Sequence, residues 1–245
     1  MFKEKYEKSY LNQQDRIKEE IKEKAIVQRD KFHLLKSMLP ERFDYKIVLD
    51  VGGGAGALAV QIAAESQCAY ITIDISFVAL KLAKLLSKKL NVTDKVDFIV
   101  ADAHRLPIKT DSVDLVILTD VLEHVMEPQN VLIEARNALC NRGYLYLTVP
   151  YAFGPETILM DDVIRLTYAL KLKKAVPTHL SSYTERRLRA MLASSGFKSM
   201  ESRFYPASYT LFILGGFFSS YFKNALEKTV FQRSCLAMYA QASEH

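Results

Sequence analysis

Residues 48–58 read VLDVGGGAGAL, an apolar run that contains one aspartate and leads into four glycines within five positions. Ile47–Val51 has the apolar character of a strand that is buried on both faces of a parallel sheet. Glycines directly after such a strand permit a tight turn and let a ligand come close to the backbone, because they carry no Cβ. The stretch therefore predicts a strand that enters a ligand-binding loop.

Short apolar runs alternate with helical patterns from residue 47 to residue 150. This alternation predicts an α/β fold with a doubly wound, mostly parallel sheet. A glycine stands where a helix end favours one, so Asn141-Arg142-Gly143 is predicted to close the last of these helices. The predicted strands are 47–51, 69–74, 96–101, 113–118 and 144–149, and the predicted helices are 56–66, 76–90 and 128–139.

The flanking regions differ from this core, and we divide the chain into a helical cap (1–46), the core (47–150) and a substrate-side part (151–245). Residues 11–39 carry one apolar stripe on a charged helix, which suits either a packing helix or a lid over a ligand. Helices are predicted at 155–175 and 184–195, and strands at 197–205 and 234–242. The uncharged run 209–222 is too short for a membrane span, and it suits a buried segment or a peripheral membrane contact.

Composition and charge exclude several classes of protein. The chain has 245 residues with a net charge of +5, and residues 151–245 carry 12 basic and 7 acidic side chains. Because a nucleic-acid binder concentrates more positive charge, we expect no nucleic-acid partner, and the excess suits a solvated surface or a small anionic substrate. Three scattered cysteines predict neither a metal site nor a disulfide framework. The charged N-terminus lacks the apolar core of a signal peptide, so we expect a cytoplasmic protein.

The glycine spacing alone fits two cofactors. Gly52-x-Gly54-x-x-Ala57 satisfies the dinucleotide fingerprint, and Asp50-x-Gly52-x-Gly54-x-Gly56 satisfies the pattern of S-adenosylmethionine binders. Asp74, at the end of the second strand, suits the ribose hydroxyls of either cofactor.

Two further aspartates favour S-adenosylmethionine. Asp50 would attract the α-ammonium group of that cofactor, whereas it would repel the pyrophosphate of a dinucleotide. Asp102, at the end of the third strand, can accept a hydrogen bond from the adenine amine, and the Ala103 N–H can donate one to a ring nitrogen. A capping role would explain one such aspartate, but three at the ends of consecutive strands point to a ligand.

The segments LDVGGGAG, TIDIS, ADAHRLPIKTDSVDLVILTDVLEHV and ARNALCNRGYLYLTVP resemble class I S-adenosylmethionine-dependent methyltransferases, in particular the group that includes quinone-biosynthesis and small-molecule enzymes. This resemblance covers residues 47–150 and implies a seven-stranded sheet whose last two strands form an antiparallel hairpin. It also implies cofactor contacts that run in order along the chain: Asp50, Gly52 and Gly54 at the methionine portion, Asp74 at the ribose, Ile75, Asp102 and Ala103 at the adenine, and Thr119 near the amino group or sulfonium.

Two histidines are candidates for the base that removes a proton from the methyl acceptor. His124 follows the fourth strand near the expected methyl position, although a structural hydrogen bond would also account for it. His179 lies in a loop before a late helix, where a surface position is the alternative. No metal is predicted.

The acceptor is expected to be a small molecule that is hydrophobic or lipid-linked, since aromatic side chains are frequent after residue 150. O- or C-methylation is favoured, because no Asp/Asn-Pro-Pro-Tyr sequence follows the fourth strand. The alternatives are an RNA or protein methyltransferase, a non-catalytic binding subunit and, by cofactor, a hydride-transferring dehydrogenase.

Overall fold

Seven strands form one sheet in the computed structural model, which describes residues 4, 7–12, 15, 29–39, 45–154, 181–205 and 235–243. The sheet order is β3-β2-β1-β4-β5-β7-β6, where the labels follow the chain. β7 runs antiparallel to both of its neighbours, and the other neighbouring strands are parallel. The predicted mostly parallel seven-stranded sheet is confirmed. The strands are β1 Ile47–Val51, β2 Ala69–Asp74, β3 Val96–Val100, β4 Val113–Thr119, β5 Leu139–Pro150, β6 Phe197–Tyr205 and β7 Cys235–Ala242.

Helices cover both faces of this sheet. The helices are α1 Arg29–Met38, α2 Ala57–Glu65, α3 Phe77–Lys89, α4 Pro128–Ala138 and α5 Glu185–Ser194. Buried side chains of α1, α2 and α3 share one apolar core, and those of α4 and α5 belong to the core on the opposite face. Ser76 caps the start of α3 by accepting a hydrogen bond from the Ala79 N–H, and Thr184 caps α5 in the same way. The sheet is therefore doubly wound.

The N-terminal apolar stripe is buried where the structure describes it. Residues 7–12 are helical, and α1 continues the predicted pattern with Phe32 and Leu35 buried, as is Leu39 directly after the helix. These three side chains join the core beneath α2, so α1 packs on the sheet. The remainder of the predicted helix 11–39 lies outside the described residues, apart from residues 11, 12 and 15.

The predicted turn after α4 is wrong. β5 begins at Leu139, directly after the helix, and its pairing with β4 shifts from Val113–Leu139 to Leu115–Tyr144. A Cβ on Gly143 would lie 2.9 Å from the Cys140 carbonyl oxygen, so this glycine permits a close approach inside an irregular strand. Glycine is favoured both at helix ends and at strand irregularities, and the local sequence does not separate the two.

Three predicted features fall outside the described residues: the helix at 155–175, the insertion between β6 and β7, and the membrane contact through 209–222. Within the described ranges, no helix is both long and apolar enough to cross a membrane. The division of the chain at residues 46 and 150 stays a prediction, as does the cytoplasmic location.

We predict that Leu35→Ala destabilises the whole core. Leu35 is fully buried between α1 and the sheet, and truncating such a leucine lowers the free energy of unfolding by about 2–5 kcal/mol. Urea unfolding followed by circular dichroism measures the change in a single cooperative transition. Leu85→Ala on the exposed side of α3 is the control, with an expected change of about 0.5 kcal/mol. A wild-type midpoint for Leu35→Ala would show that α1 is a detachable cap.

Candidate functional site

The candidate site lies at the carboxyl ends of the parallel strands. β1 lies between β2 and β4. The chain adds β2 and β3 on one side of β1, and then crosses to add β4 and β5 on the other side. Ligands of open α/β sheets bind in the crevice beyond such a switch point. The glycine loop follows β1 at this position, and the segments after β2, β3 and β4 surround it.

The glycine loop is pressed against β2. The N–H groups of Gly52 and Gly53 both donate to the Ile73 carbonyl, at 2.7 and 3.1 Å. A Cβ on Gly53 would lie 2.1 Å from the Thr72 hydroxyl oxygen, so only glycine fits there. Gly54 has a φ of 55°, a left-handed conformation that glycine adopts without strain. The loop therefore presents bare backbone to the crevice.

Asp74 ties this loop to the end of β2. Its two carboxylate oxygens accept hydrogen bonds from the Gly54 N–H at 2.9 Å and the Ser76 N–H at 2.8 Å. Burial raises its pKa, and the two N–H donors partly oppose that rise. Each carboxylate oxygen has a second lone pair. Asp74 can therefore hold the loop and still accept from a vicinal diol.

Asp50 lies under the loop, where only 1% of its surface is exposed. Its Oδ2 is 2.8 Å from the position that a Gly53 Cβ would take, and its Oδ1 has no hydrogen bond of ordinary geometry among the described residues. Burial raises the pKa of Asp50 to about 7, and the nearby Tyr70 hydroxyl offsets only part of that rise. The predicted contact between Asp50 and an ammonium group stays a prediction, with this carboxyl below the loop.

Asp102 lies at the far end of the crevice, after β3. Its Oδ1 accepts from the His104 N–H at 2.9 Å and faces the His104 ring nitrogen Nδ1 at 2.7 Å. Partial burial disfavours the charged carboxylate, but the His104 contacts outweigh burial and lower the pKa of Asp102. The side chain is 55% exposed, so a ligand amine could reach it. Ile75 and Ala103 are half-buried beside it.

The segment after β4 brings in a carboxylate that the sequence analysis did not single out. Asp120 follows Thr119 and adopts a left-handed φ of 54°. Its N–H donates to the Thr148 carbonyl at 3.0 Å, its Oδ1 accepts from the Thr148 hydroxyl at 2.8 Å, and its Oδ2 pairs with the Lys31 ammonium of α1. These contacts fix Asp120 at the switch point.

Glu123 lies one turn farther along the chain and is 1% exposed. Neither carboxylate oxygen has a hydrogen bond of ordinary geometry among the described residues. Burial, reinforced by the charge of Asp120, raises the pKa of Glu123 to about 8. For Lys31, burial favours the neutral amine, but the Asp120 carboxylate overcomes this and raises its pKa. Lys31 therefore stays charged, and Glu123 holds its proton near neutral pH.

Only one of the two histidine candidates, His124, lies within the described residues. His124 is half-buried in the short turn Leu122–His124, where its N–H donates to the Val121 carbonyl at 3.0 Å. His179 lies outside the described residues. Both assignments stay predictions. In the described part of the chain, no three metal-binding side chains cluster as a metal site requires.

Three aromatic side chains lie together at the ends of β5 and β6, and two of them, Tyr151 and Phe153, were expected to line the acceptor pocket. The Tyr151 ring packs edge-on against Phe153 and Phe204, with ring centroids 5.9 and 4.9 Å apart. Tyr183 is different, because it is fully buried and its hydroxyl donates to the Leu122 carbonyl at 2.9 Å. Tyr183 therefore supports the segment after β4 from within the core.

The rule that selected Asp50, Asp74 and Asp102 also selects Asp120, because Asp120 directly follows the last residue of a parallel strand. A sequence signal for it existed and was missed. Lys31 carries no such signal, since 89 residues separate it from Asp120. Only the packing of α1 brings it to the site.

The residues fit S-adenosylmethionine better than a dinucleotide. A Cβ at Gly53 would push the loop off the sheet, and Asp74 and Asp102 follow neighbouring strands, in the order in which a ribose and an adenine would meet them. Dinucleotide-binding sheets have the strand order 3-2-1-4-5-6. In this sheet the antiparallel β7 separates β5 from β6.

Comparison with known proteins gives the same assignment. Residues 49–147 match the profile of a family described as a methyltransferase domain. The chain is 30% identical over 184 residues to malonyl-acyl-carrier-protein O-methyltransferase of Geobacter sulfurreducens, which covers 72% of this chain and 65% of that protein. It is 27% identical over 169 residues to demethylmenaquinone methyltransferase of Clavibacter sepedonicus, covering 64% and 67%. The chain thus spans just under two thirds of the first relative's length.

The fold comparison agrees. The structure is similar to phosphoethanolamine N-methyltransferase 2 from Haemonchus contortus, solved with S-adenosyl-L-methionine, with a TM-score of 0.63 and 17% identity. That similarity covers 89% of this chain and 53% of the other. The sheet order and the glycine loop agree with the matched profile: residues 49–147 form a methyltransferase domain, and the chain is similar to class I S-adenosylmethionine-dependent methyltransferases.

Proposed function

We propose that this protein transfers a methyl group from S-adenosylmethionine to a small acceptor that is hydrophobic or lipid-linked, with oxygen or carbon as the methylated atom. One observation supports the proposal: the glycine loop and the carboxylates that follow β2, β3 and β4 all lie at the carboxyl edge of the sheet, around its switch point. When bound, the cofactor would supply a methyl group on a sulfonium: the acceptor oxygen or carbon would attack the methyl carbon in line as the C–S bond breaks, and S-adenosylhomocysteine would leave as a neutral thioether.

In this proposal the carboxyl edge of the sheet orients the cofactor. Gly52 and Gly54 leave room for the methionine portion, Asp74 accepts from the ribose hydroxyls, and Asp102 accepts from the adenine amine. Ile75 offers an apolar surface to the adenine ring, and the Ala103 N–H donates to it. Alignment of two reacting groups is worth about 7–11 kcal/mol, so positioning of this kind supplies most of the rate.

Carboxyl groups lie near the reaction end, where a cationic donor would favour their ionised forms. Asp120 follows Thr119 and is held by Thr148 and Lys31, and the carboxyls of Asp50 and Glu123 are buried. An acceptor hydroxyl or carbon acid must also lose a proton, which His124 or His179 is proposed to remove. A general base of this kind contributes about 10²–10⁴-fold.

The acceptor class is proposed from chemistry and from the relatives. Tyr151, Phe153 and Phe204 form an aromatic group beside the reaction end. One relative is named as acting on a malonyl-acyl-carrier protein and the other on demethylmenaquinone, and the second of these acceptors is hydrophobic. A peripheral membrane contact through 209–222 would bring such an acceptor to the crevice.

Two other functions are the alternatives. An RNA or protein methyltransferase would use the same cofactor site with a macromolecular acceptor, and a non-catalytic subunit would bind the cofactor without turnover. Retention on RNA at physiological salt would favour the RNA alternative.

We predict that S-adenosylhomocysteine binds through Asp74. A roughly 100-fold excess over Kd should raise the thermal unfolding midpoint by about 5–10 °C, whereas NAD should leave it unchanged. Asp74→Asn should weaken S-adenosylhomocysteine binding by about tenfold to hundredfold in calorimetry, since charged hydrogen bonds to the ribose are lost. Asp97→Asn, on the exposed side of β3, is the matched control and should bind as the wild type does. Stabilisation by NAD alone would contradict the proposal.

We predict that Glu123→Gln changes the pH dependence of stability. Because the pKa of Glu123 rises from 4.5 to about 8 on folding, the folded protein keeps a proton that the unfolded chain has lost, and stability falls as pH rises through this range. The variant lacks this penalty. Its advantage over the wild type in urea unfolding should therefore grow by about 2–4 kcal/mol between pH 5 and pH 8. Glu127→Gln, at an exposed site, should show a constant difference, and a constant difference for Glu123→Gln would refute the assignment.

We predict that a labelled methyl group enters a hydrophobic product. The assay supplies S-adenosylmethionine with a radioactive methyl group together with a demethylated quinone, a malonyl-acyl-carrier protein, a lipid extract, total RNA or total protein. Label should appear in the quinone, the malonyl group or the extracted lipid, and Asp74→Asn should reduce it at low cofactor concentration. Transfer to total RNA or total protein alone would establish an RNA or protein methyltransferase. No transfer to any acceptor, with cofactor binding intact, would establish a non-catalytic binding subunit.

A further inference from the structure

Two described parts of the chain that precede β1 contact the carboxyl edge of the sheet at three points. The Ser76 hydroxyl donates to Glu7 at 2.5 Å, and the Tyr10 hydroxyl lies 2.6 Å from the position that a Gly54 Cβ would take. Lys31, on α1, pairs with Asp120. We call residues 7–12 and α1 together the N-terminal wall. Its contacts run from the proposed ribose end of the crevice to the proposed methyl end.

The contact at the ribose end is electrostatically unfavourable in part. Ser76 is fully buried beneath Glu7, and Asp74 is 8% exposed. The charge of Glu7 adds to burial in raising the pKa of Asp74, so two carboxylates compete for the same corner. Ribose hydroxyls that reach Asp74 must enter this corner. Glu7 therefore stands where the ligand has to go.

The contact at the methyl end, between Lys31 and Asp120, is fixed by neighbouring hydrogen bonds and by the core. The carbonyl and the hydroxyl of Thr148 both hydrogen-bond to Asp120, independently of Lys31. The side chains of Lys31 and Asp120 are 24% and 35% exposed, and the neighbouring Phe32 and Leu35 anchor α1 in the core. A partly buried pair on an anchored helix keeps its geometry better than a surface pair does. This end of the wall is its fixed point.

We propose that the N-terminal wall encloses the cofactor, with Lys31–Asp120 as its fixed point and Glu7–Ser76 as the contact that the cofactor ribose displaces. Lys31 and Glu7 are then positioning residues that act on cofactor binding in opposite directions. Lys31 slows release by holding the wall closed, and Glu7 opposes entry by occupying the ribose corner. The inference rests on the cofactor placement proposed above.

The test measures release of labelled S-adenosylhomocysteine from the full chain after a chase with excess unlabelled ligand. Lys31→Gln should speed release by about three- to tenfold, and Lys31→Arg should restore slow release. Lys36→Gln is the matched control, because Lys36 lies on the same helix and pairs with Glu65 at 3.0 Å, at the opposite edge of the sheet. Release from Lys36→Gln should equal that of the wild type. Equal release rates for Lys31→Gln and Lys36→Gln would overturn the fixed point.

A double variant separates the pair from either residue alone. If Asp120 retains the cofactor through Lys31, Lys31→Gln combined with Asp120→Asn should release ligand no faster than the faster single variant. Additive effects of the two changes would overturn the role of the pair.

The ribose end is tested by Glu7→Gln, which removes the charge and keeps an oxygen that can accept from Ser76. It should bind S-adenosylhomocysteine about three- to tenfold more tightly, mainly through faster association. Weaker binding would overturn the competition at this corner. Asp74→Asn separates the cofactor placement from the enclosing wall. Unchanged affinity in Asp74→Asn would refute the cofactor placement. Reduced affinity in Asp74→Asn, together with wild-type behaviour of Lys31→Gln and Glu7→Gln, would refute only the role of the N-terminal wall.

Discussion

The absence of a side chain at Gly53 is the constraint on which the site depends. A Cβ there would collide with the Thr72 hydroxyl and with the Asp50 carboxyl below it, so only glycine lets the turn lie directly on β2. Because the turn lies so close, the Gly54 N–H reaches Asp74 and joins the loop to the end of the neighbouring strand. The ligand-facing backbone is thereby held by its own sheet before any ligand binds.

Four carboxyl groups lie near this edge of the sheet, in two kinds of environment. Asp74 and Asp120 are held by hydrogen-bond donors, the first by backbone N–H groups and the second by Thr148 and Lys31. Asp50 and Glu123 are buried, and burial raises their pKa values to about 7 and about 8. A cationic ligand next to them would favour their ionised forms.

Local patterns predicted most of the fold. Six strands agree with their predicted bounds to within one residue, because apolar runs between turn residues are a local property. The start of β5 was the error: Gly143 suits a helix end as well as the irregular pairing that β5 makes with β4. Which of the two occurs depends on a partner strand that lies about 25 residues away along the chain.

For the site, the sequence by itself determined the glycine loop and the aspartates that end β1, β2 and β3, since strand ends and glycine spacing are readable along the chain. Only the tertiary structure decided that Asp50 is buried under the loop, that β7 enters the sheet between β5 and β6, and that Lys31 meets Asp120. These three features depend on contacts between segments that are far apart in sequence. Packing of the whole sheet sets such contacts, and no local pattern encodes them.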